Sequence, residues 1–251
     1  MVFQHGLGGD EAQVAEVFPD DAGLRRLTLD CRGQGRSELG PPEHLSIATF
    51  AADTLAFAGQ QGVERWAVGG ISMGAAIALR LAMAAPAGIR ALILCRPAWL
   101  WEIAPANMRP FAEIANLLGR HEPGAGLEVF NASATARRLA VEAPDNLTSL
   151  RGFFSRPDPK ATAALLEAIT RDGPGVSERQ ARNLGLPALV IGNRIDAIHP
   201  LAYARALADV IPGARLVEVT PKATSRARHA AEVRAAIAEF LATLGPDGGA
   251  T

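Results

Sequence analysis

The chain has 251 residues, of which 49% are hydrophobic and 20% are charged, and its formal net charge is -1 at pH 7. This balance predicts a soluble globular protein with a sizeable core and argues against nucleic acid or an anionic membrane as a partner. The two cysteines, Cys31 and Cys95, form neither a disulfide framework nor a metal-ligand spacing, so we expect a reduced, cytoplasmic setting. No apolar run reaches the length of a membrane span.

The opening part of the chain alternates predicted strands and helices. Residues 2–5 are predicted as a short strand that runs into the turn HGLGGD, and a helix is predicted over residues 11–18. Residues 25–29 are predicted as a second strand, which ends in the motif DCRGQGRS. A further helix is predicted after Ser46, a good N-cap, and ends at Gly62.

The stretch from Trp66 to Ala85 has the pattern strand, sharp turn, helix. An apolar run ends in GISMG, and an alanine-rich helical pattern begins at once and is expected to stop at Pro86. A serine on such a turn is lifted out at the carboxyl end of a sheet, while Gly70 and Gly74 leave room for the helix to cross the strand closely. Ser72 is therefore the first candidate nucleophile.

The later part of the chain first loses and then resumes the strand-and-helix alternation. No convincing strand is found over residues 97–186, which favour a helical lid insertion broken by prolines. Strands are predicted at 187–192 and 216–219, around a helix at 201–211, and a closing helix is expected to stop at Gly245. The alternation predicts an α/β fold, a mostly parallel sheet with helices on both faces, with a core of residues 1–96 and 187–251.

Four motifs in order, HGLGGD, DCRGQGRS, GISMG and GNRIDAIHP, resemble the α/β-hydrolase superfamily over nearly the whole chain. The similarity is greatest to its small lid-bearing branch of esterases and 3-oxoadipate enol-lactonase-like enzymes. The resemblance implies a serine nucleophile, an acid after a later strand and a histidine after the last strand. These positions are Ser72, Asp196 and His229. An imidazole suits the task because a serine hydroxyl needs a nearby base, which the aspartate would orient.

The resemblance also implies an oxyanion hole made by the backbone N–H groups of Leu7 and Met73. The expected activity is metal-free and cofactor-free hydrolysis of a small ester or lactone through an acyl-enzyme. The DCRGQGRS motif is interpreted as a structural brace beside the site. Apolar lid residues are expected to form the substrate pocket; these are Trp99, Trp101, Met108 and Phe111. Arg96 is a candidate contact for a substrate carboxylate, with a surface role as the alternative.

The histidine expected to act as the base departs most from the superfamily pattern. Nine residues, 220–228, separate the last predicted strand from His229, which lies close to the closing helix and could simply belong to its first turn. We expect it at a loop end, contributing little packing. His199, three residues after Asp196, is the one serious rival. Because an acid and a base on one short loop would have difficulty facing Ser72 in series, His199 is expected to shape that loop.

Two other classes of function are weighed against hydrolysis. Residues 2–8 followed by Asp30 imitate a dinucleotide-binding fingerprint, but Glu11 replaces the third glycine and would repel the pyrophosphate. A non-catalytic binding protein on the same scaffold is the second alternative. In the superfamily two strands usually precede the His-Gly strand, so the resemblance implies that they are missing here. Residues 25–29 would then form an open sheet edge, which favours self-association into a homo-oligomer.

Overall fold

A five-stranded parallel sheet lies at the centre of the computed structural model, which describes residues 1–19, 25–84 and 87–244. The strands are ordered along the sheet as they are along the chain, and each pairs in parallel with the next. They are β1 (Val2–Gln4), β2 (Trp66–Ile71), β3 (Ile89–Cys95), β4 (Ala188–Gly192) and β5 (Arg215–Glu218). All five carboxyl ends therefore lie at one edge, where the loops that follow the strands meet.

Helices cover both faces of this sheet, as the alternation predicts. The described residues form eleven α-helices. In the core they are α1 (Glu11–Val17), α2 (Ile47–Gln60), α3 (Met73–Ala84), α10 (Leu201–Val210) and α11 (Arg226–Thr243), and between β3 and β4 they are α4 (Arg109–Arg120), α5 (Pro123–Asn131), α6 (Ala134–Glu142), α7 (Pro144–Arg151), α8 (Pro159–Thr170) and α9 (Glu178–Ala181). Ser46 caps α2 through its side chain, as expected. The predicted stops at Pro86 and Gly245 lie outside the described residues.

Alternating side chains of the strands supply two separate apolar cores. Phe3, Ile93 and Ile191 face the layer of α1 and α11, where they pack with residues such as Val14 and Ile237. The intervening strand residues face the opposite layer, which contains α2, α3 and α10. Because successive side chains of each strand point to opposite faces, the sheet is packed between two apolar layers. Its carboxyl edge is therefore a rigid base for the loops.

The predicted strand at residues 25–29 is wrong, because the structure contains only an isolated bridge between Leu27 and Val2. The Leu27 N–H donates to the Met1 carbonyl and the Leu27 carbonyl accepts from the Phe3 N–H, both at 2.9 Å. After Leu27, a side chain replaces the backbone hydrogen bonds of a paired strand. The Leu29 N–H donates to Gln4 Oε1 at 3.1 Å instead of to a backbone carbonyl. The segment is extended, but pairing ends after one residue.

The chain between β3 and β4 is helical throughout its regular elements, as predicted, and part of it packs onto the carboxyl edge of the sheet. Phe111 of α4 and Phe153 meet edge to face with ring centroids 5.5 Å apart. Arg156 donates to the Gly8 carbonyl at 2.8 Å and its guanidinium lies over the Phe153 ring. Through these contacts, Phe153 and Arg156 cover the turn after β1. Among the described helices, none combines the length and apolar character needed to cross a membrane.

Candidate active site

Ser72 occupies a strained turn between β2 and α3. Its φ of 57° lies in the left-handed region, which costs a non-glycine residue about 1–3 kcal/mol. A Cβ on Gly74 would lie 2.2 Å from the Gln4 carbonyl oxygen, and a Cβ on Gly70 would lie 2.4 Å from the Gly74 backbone. Only glycine allows this close crossing of strand and helix. The geometry is that of the nucleophile elbow predicted from GISMG.

The Ser72 side chain opens on a small cavity of about 80 Å³ beneath the helices that follow β3. The cavity brings together residues that are far apart in sequence, because it lies where the loops after β1, β2, β3, β4 and β5 meet. Its lining includes Leu7, Ser72, Arg96, Phe111, His199 and Lys222. A small substrate could therefore contact a hydroxyl, an imidazole and two cationic side chains at once.

The turn after β1 is braced from several sides. The Gly8 N–H donates to Gln34 Oε1 at 2.6 Å, so the DCRGQGRS motif supports this turn as interpreted from the sequence. His5 is buried between the Gly6 carbonyl and the Cys31 N–H, and burial lowers the pKa of its imidazole. His5 is therefore a neutral structural residue.

The two N–H groups expected to stabilise an oxyanion have no acceptor in the described chain. Neither the Leu7 N–H nor the Met73 N–H donates a hydrogen bond to any described residue. Leu7 lines the cavity, and Met73 directly follows Ser72 as the first residue of α3. Unpaired donors beside a candidate nucleophile can bind a developing negative charge.

Asp196 is buried and fully engaged, but not by His229. One carboxylate oxygen, Oδ2, lies 2.8 Å from Arg96 Nε and 2.7 Å from a second guanidinium nitrogen. The other, Oδ1, accepts from the His199 N–H at 3.0 Å and lies 2.8 Å from His199 Nδ1. Burial by itself would raise the pKa of Asp196, but Arg96 and His199 outweigh it and hold that pKa well below its usual value. The carboxylate is therefore ionised.

His199 directly contacts this carboxylate, although the sequence suggested that the two residues would have difficulty facing Ser72 in series. The Asp196 carboxylate can only accept, so the 2.8 Å contact places a proton on His199 Nδ1; Arg96 lies farther from that atom, at 3.2 Å. The opposite nitrogen, Nε2, is buried without a hydrogen-bond partner among the described residues. Burial is the main cause of a lowered pKa for His199, which keeps the imidazole neutral. The lone pair of Nε2 is thus not taken up by any described donor.

His229 is in a different environment from the one predicted. It lies in the first turn of α11 and is only 1% exposed, so the expectation of a loop end with little packing is wrong. Its Nδ1 lies 2.8 Å from the Thr220 carbonyl, to which it donates, and no hydrogen bond joins it to Ser72 or Asp196 in the described structure. Burial, opposed by the Thr220 hydrogen bond, lowers the pKa of His229 to about 4. Its role as the base stays a prediction.

The four predicted pocket residues are divided by the structure. Phe111 lines the cavity at Ser72, whereas Met108 lines a separate cavity of about 430 Å³ between α4 and α8. Trp99 is buried and donates from its indole to the Asp172 carbonyl at 2.9 Å. Trp101 lines neither cavity. Of the four, Phe111 alone is placed to touch a group bound at Ser72.

Sequence reasoning missed several residues that line the cavity. Lys222 follows β5 by four residues, and that position at the carboxyl edge was the available signal. Asn146 and Phe153 come from the inserted helices, where no motif marks them. Arg96 was predicted as a contact for a substrate carboxylate or as a surface residue; it is 7% exposed and bound to Asp196, so the surface role is wrong.

The described residues offer little to a metal or a dinucleotide. They contain no group of three or more His, Cys, Asp or Glu side chains that could hold a metal ion. The amino terminus of α1, where a pyrophosphate would lie, is already capped by the Asp10 carboxylate, which accepts from Ala12 N–H at 3.0 Å and Gln13 N–H at 3.3 Å. A second anion at this position would be repelled.

Comparison with known proteins gives concordant results. The profile of the alpha/beta hydrolase fold family matches residues 1–223. The chain is 28% identical over 228 residues to a protein of Klebsiella pneumoniae (strain 342) named "Putative carbamate hydrolase RutD", covering 87% of this chain and 82% of the relative. It is 29% identical to the protein of the same name from Pseudomonas savastanoi pv. phaseolicola, covering 86% and 83% of the two chains.

Solved structures share the same architecture. The enol-lactonase from Burkholderia xenovorans LB400 superposes with a TM-score of 0.65 at 27% identity, covering 95% of this chain and 87% of that one. A thermophilic esterase from Thermogutta terrifontis superposes with a TM-score of 0.71 at 24% identity, covering 96% and 88% of the two chains, and shows the fold alone. The elbow, the parallel sheet and the family match agree. The chain belongs to the α/β-hydrolase family.

Proposed function

We propose that this chain is a serine hydrolase of small carboxylic esters or lactones, with Ser72 as the nucleophile. The observation that carries the proposal is the cavity that both Ser72 and His199 line: the serine is strained, Asp196 holds His199 Nδ1, and His199 Nε2 has no partner among the described residues. A buried nitrogen without a partner costs about 1–3 kcal/mol, a cost that a role in proton transfer would explain. This arrangement favours His199 as the proton acceptor, with His229 as the second candidate.

The proposed reaction has two steps. Ser72 Oγ attacks the substrate carbonyl carbon while its proton moves to the imidazole Nε2, and the N–H groups of Leu7 and Met73 bind the oxyanion. The ester C–O bond then breaks and the leaving oxygen takes the proton from the imidazolium. Water attacks the acyl carbon and gives its proton to the same nitrogen; the bond to Ser72 Oγ then breaks, and Oγ takes that proton back as the acid leaves. Asp196 remains ionised throughout and orients the imidazole.

The names of similar proteins widen the set of candidate substrates. A carbamate, an enol-lactone and a simple ester all present a carbonyl carbon to the serine, and the similar proteins named above carry these three activities in their names. The small cavity supports a small acyl group. A cytoplasmic setting, favoured by two unpaired buried cysteines, belongs to the same proposal.

The proposal is tested by labelling with a fluorophosphonate probe and by turnover of 4-nitrophenyl acetate. Ser72→Ala should abolish labelling and reduce turnover to the residual rate that oxyanion donors alone provide. Ser149, a second hydroxyl in the lining of the same cavity, provides the matched control, because Ser149→Ala should still be labelled. Labelling that persists in Ser72→Ala would reject the nucleophile. A folded wild type that neither reacts with the probe nor turns over any ester would favour the non-catalytic binding protein.

A further inference from the structure

Lys222 is a cation that lines the candidate active site. It lies on the loop after β5, is half-buried, and shares the cavity with Ser72, His199 and Arg96. Lysine is rare in this chain, since Lys160 and Lys222 are the only two. A lysine at the carboxyl edge of the sheet, beside a candidate nucleophile, therefore calls for a functional explanation.

The charge of Lys222 has no partner in the described structure. No described residue forms a hydrogen bond or an ion pair with its ammonium group. The nearby acids act only from a distance and do not line the cavity: Glu16 is bound by Arg226 at 2.9 Å, and Asp145 lies in the first turn of α7. Without a counter-ion, a half-buried ammonium is left to the solvent in the cavity.

The rest of the lining does not neutralise this cation. Among the described residues that line the cavity, none is an Asp or a Glu. The second cation, Arg96, is occupied by the Asp196 carboxylate, so Lys222 is the charge that remains free to bind an anion. Burial, together with Arg96, lowers the pKa of Lys222, which measures the cost of holding the ammonium here. A bound carboxylate would remove that cost.

We propose that Lys222 binds a carboxylate group of the substrate, so that the site prefers anionic esters, such as half-esters of small dicarboxylic acids, over neutral esters of the same length. This inference rests on the proposed function and specifies its substrate class. Phe111 and Phe153 line the same cavity and would contact the short carbon chain between the carboxylate and the ester. The roles are divided: Ser72 attacks the ester carbonyl, and Lys222 holds the other end of the acyl group.

The test compares monomethyl succinate with methyl butanoate, which match in chain length and differ by a terminal carboxylate. Wild type should show the higher kcat/KM for monomethyl succinate, measured by proton release. Lys222→Met should lower the ratio of the two kcat/KM values by about tenfold, mainly through KM for monomethyl succinate, as expected for a lost hydrogen-bonded charge pair. Lys222→Arg should restore most of the ratio. Lys160→Met, at an exposed position in α8, removes the other lysine and should match wild type.

Two results would overturn the inference. An unchanged ratio in Lys222→Met would show that the lysine does not recognise the carboxylate. An equal loss of kcat on both esters, unrescued by Lys222→Arg, would place Lys222 in the chemical step instead of in recognition of the carboxylate.

A binding measurement separates this inference from the proposed function. In Ser72→Ala, which cannot form an acyl-enzyme, monomethyl succinate should raise the melting temperature more than methyl butanoate, and adding Lys222→Met should remove the difference. Turnover of both esters without any preference would reject the inference and keep the hydrolase. Lys222-dependent binding without turnover in wild type would keep the inference and reject the hydrolase. Absence of both binding and turnover would reject the inference and the hydrolase together.

Discussion

The loops after β4 and β5 each lead to one buried histidine, and the two imidazoles are held through Nδ1 by different acceptors. On the first loop, Asp196 binds His199 Nδ1 at 2.8 Å, and the other ring nitrogen is buried without a partner in the described structure. After the second, His229 donates to the Thr220 carbonyl at 2.8 Å within the first turn of α11. His199 lines the cavity of Ser72, whereas His229 is not part of its lining.

The comparison shows that chain order and local chemistry can point to different bases. Chain order favours His229, because the superfamily pattern places the histidine after the last strand. The contacts favour His199, because a carboxylate stabilises an imidazolium more strongly than a backbone carbonyl does. The loop after β5 is also tied to its helix: Glu232 accepts from the Thr220 N–H at 2.6 Å and from Arg228 Nε at 2.7 Å. These bonds hold His229 where it is.

The largest effect is expected from exchanging each histidine for glutamine, a neutral polar residue that cannot act as a general base. His199→Gln should lower kcat/KM on 4-nitrophenyl acetate by about 10,000-fold, as for loss of a general base, whereas His229→Gln should lower it by less than about tenfold. Circular dichroism would check that both variants fold. Near-normal turnover in His199→Gln, with collapse in His229→Gln, would break the comparison and return the base to position 229.

A smaller loss of rate, joined to a loss of stability, is expected from Asp196→Asn. The variant should cost about 1,000-fold in kcat/KM because the imidazole loses its orienting anion. It should also lower the free energy of unfolding by about 3 kcal/mol, since it leaves the buried Arg96 guanidinium without its carboxylate. Urea unfolding measures the second effect. Glu142→Gln, which breaks an exposed pair with Arg138, is the control and should cost no more than about 1 kcal/mol. Equal losses of unfolding free energy in Asp196→Asn and Glu142→Gln would contradict a stabilising role for the buried pair of Asp196 and Arg96.

The mildest test is the pH dependence of kcat/KM. Only the neutral imidazole accepts a proton, and burial lowers the pKa of His199 below 6.5. Wild-type activity should therefore stay level as the pH falls from 8 to about 6.5 and drop by about tenfold per pH unit only at lower values. If His199 is the base, His229→Gln keeps the wild-type inflection. A profile that changes in His229→Gln but not with substitutions at position 199 would assign the inflection to His229.

Much of the fold could be predicted from the sequence because it depends on local patterns. GISMG between an apolar run and an alanine-rich helix predicts the elbow, and the glycine contacts of 2.2 and 2.4 Å explain why those residues are needed. Ser46 predicts the start of α2 by its side-chain cap. The segment at 25–29 was predicted wrongly because its composition favours a strand, while the Gln4 side chain takes the hydrogen bond of Leu29 and ends the pairing.

Short motifs mark the candidate nucleophile and the candidate acid loop, because in them neighbouring residues determine a turn. They do not mark the partner of that acid. Five loops meet at one edge of a parallel sheet, and whether Asp196 contacts His199 or His229 depends on how the loop after β4 folds over Arg96 and where α11 begins. The same holds for Lys222, an ordinary loop lysine in the sequence, because strands distant in the chain bring it into the cavity of Ser72, whose described lining contains no carboxylate.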